Sequence, residues 1–211
     1  VAARGEVWTI IVAAGRGDRF GSPKQFEQLL GVPVVNRSTR VAAAVSDGVV
    51  VVLPPNEDRE IPGATVTVPG GTSRSESVRA GLAAVPATAE VIVVHDAARP
   101  LASEGLYRAT IDAVRRGADG AVPVVDVVDT LRERAGGPVD RDLFVAVQTP
   151  QAFAAAPLRA AHAAGGTATD DASLVEGAGG RIVTVPGERT NLKITERSDL
   201  VVAAALLGDD R

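Results

Sequence analysis

Residues 7–24 read VWTIIVAAGRGDRFGSPK: a run of bulky, mostly apolar residues, then a segment in which Gly15, Gly17 and Gly21 are interspersed with Arg16, Arg19 and Lys24. An unbroken apolar run of this kind suits a strand covered on both faces, as in parallel sheets. Glycines directly after such a strand let backbone N–H groups approach an anion with no Cβ in the way, which makes the loop a candidate phosphate cradle. It is not the G-x-x-x-x-G-K-[ST] loop of ATPases, and Phe20 stands where a dinucleotide fingerprint has its third glycine. A plain strand-to-helix turn would account for Gly15 and Gly17 alone. It does not account for Arg19 and Lys24, since packing gives no reason to place two cations in a glycine loop at the carboxyl end of a central strand.

Outward from this stretch the pattern recurs. Short β-branched runs at 49–53, 65–68, 91–94, 121–125 and 182–185 alternate with Ala-rich stretches of helical character at about 34–46, 73–84, 103–116, 153–164, 171–178 and 198–207. Strand-helix alternation predicts an α/β fold with strands buried on both faces. Ser73-Arg74-Ser75-Glu76 is a capping-box pattern that starts the second helix, and Ser198 is the expected cap of the last. One region breaks the alternation. Residues 126–134, the turn signal Ala135-Gly136-Gly137-Pro138 and residues 139–148 read as a long hairpin whose polar flanks predict an arm, about 126–148, projecting from the sheet. With 211 residues and neither repeat nor low-complexity linker, the chain 1–211 reads as one domain on the usual scale of about 150 residues each.

Composition narrows the function classes. Hydrophobic residues at 45% and charged residues at 23% disfavour a disordered chain, a collagen or a coiled coil. A net charge of -4 has the wrong sign for a surface that follows nucleic acid or anionic lipid. The absence of cysteine excludes disulfides, thiolate nucleophiles and iron-sulfur clusters. His95 and His162 are the sole histidines, so any metal is expected to be a hard ion held by oxygen, Mg²⁺ first. Aromatics at 3% mean that a nucleobase would be held mainly by backbone and small polar groups. No apolar run approaches about 18 residues, and the opening VAARGEVW lacks a signal-peptide core, so a cytoplasmic location is expected.

Further candidates lie at strand ends and helix starts. The run 91–94 leads into His95-Asp96-Ala97-Ala98-Arg99-Pro100, and open α/β sheets bind ligands beyond the carboxyl ends of their strands. Asp96 is therefore a candidate Mg²⁺ ligand on a triphosphate, or else a local turn cap. His95 reads as a structural histidine and Arg99 as an ion-pair partner. Thr169-Asp170-Asp171-Ala172-Ser173 is a candidate cluster and equally a plain acidic N-cap. Lys193, between Leu192 and Ile194, points away from its apolar neighbours in an extended segment, as a site cation or a snorkelling lysine. No G-x-S-x-G elbow supports a hydrolase built on His95 or His162.

Taken together, AAGRGDRFGSPKQF (13–26), GGTSRSESVRAGL (70–82), VHDAARP (94–100), QTPQAF (148–153), TDDASLVE (169–176) and NLKIT (191–195) resemble, in this order, the 2-C-methyl-D-erythritol 4-phosphate cytidylyltransferase family of the non-mevalonate isoprenoid pathway. The resemblance covers roughly residues 7–199. The glycine loop alone fits any nucleotidyltransferase of glycosyltransferase-A-like type; VHDAARP with TDDAS and a late N-x-K-[IV]-T narrows the match to this family and its near relatives. The resemblance implies a single-domain, Rossmann-like, mostly parallel twisted sheet flanked by helices, with a protruding β-hairpin arm. It implies transfer of CMP from CTP to 2-C-methyl-D-erythritol 4-phosphate, giving 4-diphosphocytidyl-2-C-methyl-D-erythritol and pyrophosphate, with Mg²⁺.

Carried over by position, Ala13, Ala14, Gly15, Gly70, Gly71 and Ser77 resemble the family's CTP contacts, with Asp96 and Ala97 near the ribose and metal. Arg19 and Lys24 resemble its transition-state stabilisers. Arg99, Thr130, Arg141, Thr169 and Lys193 resemble the groups that position the acceptor phosphate, Arg141 and Lys193 counting also among the catalytic cations. Thr130 and Arg141 lie on the arm, which in this reading reaches across a homodimer. The chemistry agrees independently: joining two anions asks for positioning and charge neutralisation, with no strong base. A cation about 4 Å from a phosphate oxygen gains roughly 4 kcal/mol at an effective dielectric near 20. Residues 123–130 are longer than the family's P-V-x-D-T form, and Arg132 stands where a lysine is expected. A cytidylyltransferase for another polyol phosphate, such as ribitol 5-phosphate, shares nearly all these motifs. A non-catalytic nucleotide-binding module would have no use for cations converging on one phosphate, and the broken fingerprint disfavours a dinucleotide-dependent oxidoreductase.

Overall fold

In the computed structural model, which describes residues 5–17, 20–166 and 168–208, the opening apolar run forms β1 (Glu6–Val12). There follow β2 (Gln28–Leu29), β3 (Val32–Pro33), α1 (Val34–Val45), β4 (Gly48–Leu53), β5 (Val66–Pro69), α2 (Arg74–Ala84), β6 (Ala89–Asp96), α3 (Glu104–Arg115) and β7 (Gly120–Asp126). The chain ends with β8 (Val145–Val147), β9 (Gln151–Ala154), α4 (Ala155–Ala163), α5 (Asp171–Gly177), β10 (Ile182–Pro186) and α6 (Arg197–Gly208). The main sheet has eight strands in the order β10-β7-β9-β6-β1-β4-β5, with β8 added beside β7. β1 lies between β4 and β6, parallel to both, with Ile10 opposite Val50 and Val94.

Alternation of side chains along each strand divides the core in two. Ile11, Val51 and Val93 face Val35 and Ala42 of α1 and Leu106 and Ile111 of α3. Ile10, Val50 and Ile92 face Val78 and Leu82 of α2, Leu158 of α4 and Val175 of α5. Each such aliphatic side chain contributes about 1.5–3 kcal/mol on full burial, so the sheet's middle is a firm base for whatever its strand ends carry. A third, smaller cluster joins Phe20, Leu29 and Val34 to Ile194 and Ala203 of α6. Among the described residues no helix is long and apolar enough to cross a membrane.

The α/β reading holds, with four local corrections. β5 and β10 are edge strands, and burial on both faces fails there: Val66 is 37% exposed. The helix expected from residue 153 begins at Ala155, because Gln151–Ala154 forms a strand antiparallel to both β6 and β7. Four residues are too few for any periodicity to declare itself, and a segment crossing the core must pair its backbone groups. Ser198 does not cap the last helix; Asp199 does so by reaching back, its Oδ2 accepting from the N–H of Thr195 at 2.7 Å and of Glu196 at 2.8 Å. The capping box at Ser73 and Glu76 is present as expected.

The fourth correction concerns the hairpin. Beyond β7 its outgoing and returning limbs touch through Arg132 and Pro138 and through the Val139 N–H donating to Leu131 O at 3.0 Å. The expected strand over 139–148 shrinks to β8, preceded by a single helical turn at Arg141–Leu143. Its surface is less polar than its flanks suggested, since Val128, Leu143, Phe144, Val145 and Val147 are all exposed.

Candidate active site

A cleft of about 590 Å³ opens beyond the carboxyl ends of β1 and β6. At its first wall the sheet ladder ends with Ala13 N–H donating to Val52 O at 2.9 Å. The chain then turns at Gly17, whose φ of +73° favours glycine and whose Cβ would stand 1.9 Å from Ser22 O. The N–H groups of Phe20 and Gly21 both donate to Gly17 O at 2.8 Å. Gln25 ties the helical turn at Lys24–Phe26 back to the loop, its Nε2 donating to Gly15 O at 3.1 Å. Lys24 is thereby brought to the cleft wall with Arg16. Arg19, expected to act beside Lys24, lies outside the described residues.

The second wall is the loop entering α2. A Cβ on Gly70 would come within 2.3 Å of the Ala14 Cβ and 2.9 Å of Ser77 Oγ, so the two walls meet where a glycine alone fits. Ser77 Oγ donates to Ser73 O at 2.9 Å and accepts from Gly71 N–H at 3.2 Å. The Thr72 hydroxyl and the N–H groups of Thr72 and Ser73, the latter two at 2.6 and 3.1 Å, donate to the Glu76 carboxylate and lower its pKa, the hydroxyl most.

Charge concentrates on the floor. Asp96, at the end of β6, accepts from Lys193 Nζ on Oδ2 at 2.6 Å and from Arg74 Nε on Oδ1 at 3.3 Å. Burial works to raise the Asp96 carboxyl pKa, but Arg74 and Lys193 outweigh it and hold the group well below the usual carboxylate range. Lys193 reaches it because Ile194 is fully buried beneath and Asn191 Nδ2 donates to Thr149 O at 2.9 Å, fixing the extended segment. The Asp96 N–H donates to Thr149 Oγ at 3.1 Å, and Thr149 Oγ lies 3.0 Å from His95 Nδ1. His95 Nε2 lies 3.1 Å from Arg99 O, an atom that can only accept, so Nε2 carries the proton. Burial pushes the His95 pKa down to about 4: the ring is neutral, locked and turned away from the cleft.

Ala13, Ala14, Gly15, Lys24, Gly71, Ser77, Asp96, Ala97 and Lys193 thus line one cleft, with Gly70 packed between its walls. Others do not join them. Arg99 forms no ion pair within 4 Å among the described residues; its guanidinium donates to Asn191 O at 2.7 Å and Val147 O at 3.4 Å, which corrects the expected pairing. Thr169 is exposed and precedes Asp170, the N-cap of α5. Thr130 and Arg141 stand exposed on the arm, where Arg141 Nη1 donates to Val128 O.

Sequence reasoning missed Arg74 and Thr149. A signal for Arg74 existed: it opens α2, and a cation in the first turn opposes the helix dipole unless carboxylates hold it. Thr149 gave none, its hydroxyl acting only through a fold that brings QTP beside VHD.

Comparison with known proteins places these features in context. The family model described as IspD, 2-C-methyl-D-erythritol 4-phosphate cytidylyltransferase, matches residues 7–209. The 2-C-methyl-D-erythritol 4-phosphate cytidylyltransferase of Streptomyces coelicolor is 42% identical over 232 aligned positions, covering 96% of this chain and 85% of that protein. The enzyme of the same name from Nocardia farcinica is 43% identical over 224 positions, covering 96% and 94%. The crystal structure of 2-C-methyl-D-erythritol 4-phosphate cytidylyltransferase from Thermus thermophilus matches with a TM-score of 0.85 at 39% identity, covering 95% of this chain and 98% of that one.

Proposed function

Because the chain belongs to the 2-C-methyl-D-erythritol 4-phosphate cytidylyltransferase family, we propose that its cleft joins CTP to 2-C-methyl-D-erythritol 4-phosphate, releasing pyrophosphate and yielding 4-diphosphocytidyl-2-C-methyl-D-erythritol. The observation that carries the residue-level reading is the meeting of Arg74 and Lys193 at Asp96, with Lys24 on the wall of the same cleft at the strand ends. An acceptor phosphate oxygen bonds to the α-phosphorus of CTP as the bond to the bridging oxygen breaks, and pyrophosphate leaves with that electron pair. A phosphate dianion has no proton to surrender, so the step calls for charge neutralisation and alignment. The site is built accordingly, with cations facing the cleft and its histidine neutral and turned away.

In this reading Ala13, Ala14, Gly15, Gly70, Gly71 and Ser77 hold the nucleotide, and the narrow approach of Gly70 to Ala14 excludes a purine by size. Arg19 and Lys24 stabilise the charge that builds on the transferring phosphate, and Lys193 leaves Asp96 to meet an incoming phosphate. Asp96, a carboxylate lining the cleft at the end of β6, would hold Mg²⁺ carried on the triphosphate, a hard cation that takes oxygen ligands. When bound, the ion would neutralise triphosphate charge. Residues 1–211 act as one catalytic domain, and the arm brings Thr130 and Arg141 to the acceptor in a partner's site, where Arg99 and Thr169 also belong to the acceptor side. The cytoplasm is the proposed place of work, since both co-substrates are phosphorylated anions that do not cross membranes unaided.

The test is a pyrophosphate-release screen across nucleotides and polyol phosphates. Release with CTP and 2-C-methyl-D-erythritol 4-phosphate, and not with ATP or GTP, is the expected result. Release with ribitol 5-phosphate in its place would move the assignment to another polyol, and silence with every acceptor would leave a nucleotide-binding module.

A further inference from the structure

Behind the cleft lies a buried, hydrogen-bonded pair that the reaction does not use. Asp171, in the first turn of α5, and His162, in the last turn of α4, have side chains 1% and 2% exposed and meet through Asp171 Oδ1 and His162 Nε2 at 2.9 Å. Asp171 Oδ2 accepts from Arg74 Nη1 at 2.7 Å. A carboxylate bound to a guanidinium has no proton to give, so His162 Nε2 donates; its Nδ1 is buried with no hydrogen-bond partner among the described residues. Asp171 does not line the cleft, whereas Arg74 does.

Arg74 is the member that needs support. It sits at the first position of α2, the wrong end of the helix dipole for a cation, and its Nη2 is buried with no hydrogen-bond partner among the described residues. One hydrogen bond from Nε to Asp96 leaves the guanidinium plane free to swing; a second from Nη1 to Asp171, on a different element, fixes it. The His162 N–H in turn keeps one Asp171 oxygen from rotating away from its place. The result is a continuous chain from α4 through α5 and α2 to the carboxylate on the cleft floor.

We propose that His162 and Asp171 are positioning residues for CTP: they set the plane of the Arg74 guanidinium and, through it, the seat of Asp96. This rests on the reading of the cleft as the CTP site. Contacts to the ribose and phosphates persist from the bound complex into the transition state, so weakening them raises KM and leaves kcat nearly unchanged.

Calorimetric titration with CTP, with no acceptor present, reads the effect apart from turnover. His162→Leu, which keeps apolar volume and removes the donor, weakens CTP binding about tenfold, the size expected of one buried charge-assisted hydrogen bond, with a matching rise in KM. His162→Gln, whose amide N–H reaches the same place, restores most of it. In an Arg74→Gln background His162→Leu adds no further loss, because residues acting through a common partner are non-additive. An equal loss in both backgrounds, or unchanged CTP affinity in a folded His162→Leu, overturns the proposal. Should His162→Leu not fold, the isosteric Asp171→Asn takes its place in the same cycle, with the same outcomes for and against. Wild-type protein that fails to bind CTP overturns the reading of the cleft itself, and the positioning role with it.

Discussion

The nucleotide cleft and the arm are built by opposite rules. In the cleft and the layer behind it, polar side chains are paired within the chain: Asp96 holds Arg74 and Lys193, and behind them Asp171 holds Arg74 and His162. Its strands are the most deeply buried of the sheet, with Ile10, Val50 and Val94 fully inaccessible. On the arm, Leu143 is 78% exposed and Val128 60%, and the Arg141 side chain meets the Val128 carbonyl and, loosely at 3.8 Å, Asp142. One region is finished by its own chain. The other leaves apolar surface and a cation exposed, the pattern that the proposed arm exchange calls for.

The comparison can be tested from its strongest side first. Lys24→Ala should lower kcat by about 10²-fold or more, the scale of losing one preorganised charge donor, with an unchanged unfolding transition. Steady-state kinetics on a variant with wild-type circular dichroism checks this, and an undiminished kcat would remove Lys24 from the transition state. The arm is tested by mixing. Lys24→Ala and Arg141→Ala, each nearly inactive alone, should recover activity on subunit exchange, because about half of the dimers are mixed and one site in each is then whole, about a quarter of all sites. No recovery, with mixed dimers seen by native mass spectrometry, would mean that Arg141 serves its own subunit and that the contrast between the two regions is false.

Two smaller effects sharpen the account of the cleft. Asp96→Asn should raise the Mg²⁺ concentration for half-maximal rate several-fold, since a neutral amide is a poorer ligand for a hard cation; a lower rate with the same Mg²⁺ dependence would confine Asp96 to holding Arg74 and Lys193. His95 supplies a pH dependence of stability. Its pKa is depressed by burial from 6.5 to about 4, so between these values the unfolded chain binds the extra proton and stability falls as pH falls. The full loss is about 3 kcal/mol on approaching pH 4. Urea unfolding at pH 7 and pH 5 should show part of it, and the slope should flatten in His95→Gln.

Much of this is legible in the sequence. The strand-loop unit at residues 7–24, the helix starts at Ser73 and Asp170 and the arm all follow from local rules, because runs, caps and turns are short-range signals. What was hidden is long-range. Gln151–Ala154 becomes a strand only because β6 and β7 leave a gap that a backbone can pair into, and Arg99 is drawn to carbonyl oxygens of residues 147 and 191 that lie far off in sequence. Arg74 reads in the sequence as one letter of a capping box, because the carboxylates that claim it stand at positions 96 and 171. Its mismatch with the helix dipole was the clue.

The direction of β9 has a consequence for the wiring of the two regions. A strand delivers the loop before it to one edge of the sheet and the loop after it to the other. Since β9 runs against its neighbours, its first residue, Gln151, sits beside Val94 near the outgoing end of β6. The root of the arm, residues 148–150, therefore arrives at Asp96 instead of at the far edge, about 10 Å away along a four-residue strand. There Thr149 takes the Asp96 N–H, and Arg99 grips the last carbonyl of β8. One reversed strand thus sets the base of the arm and the floor of the cleft side by side, although they lie on separate parts of the chain.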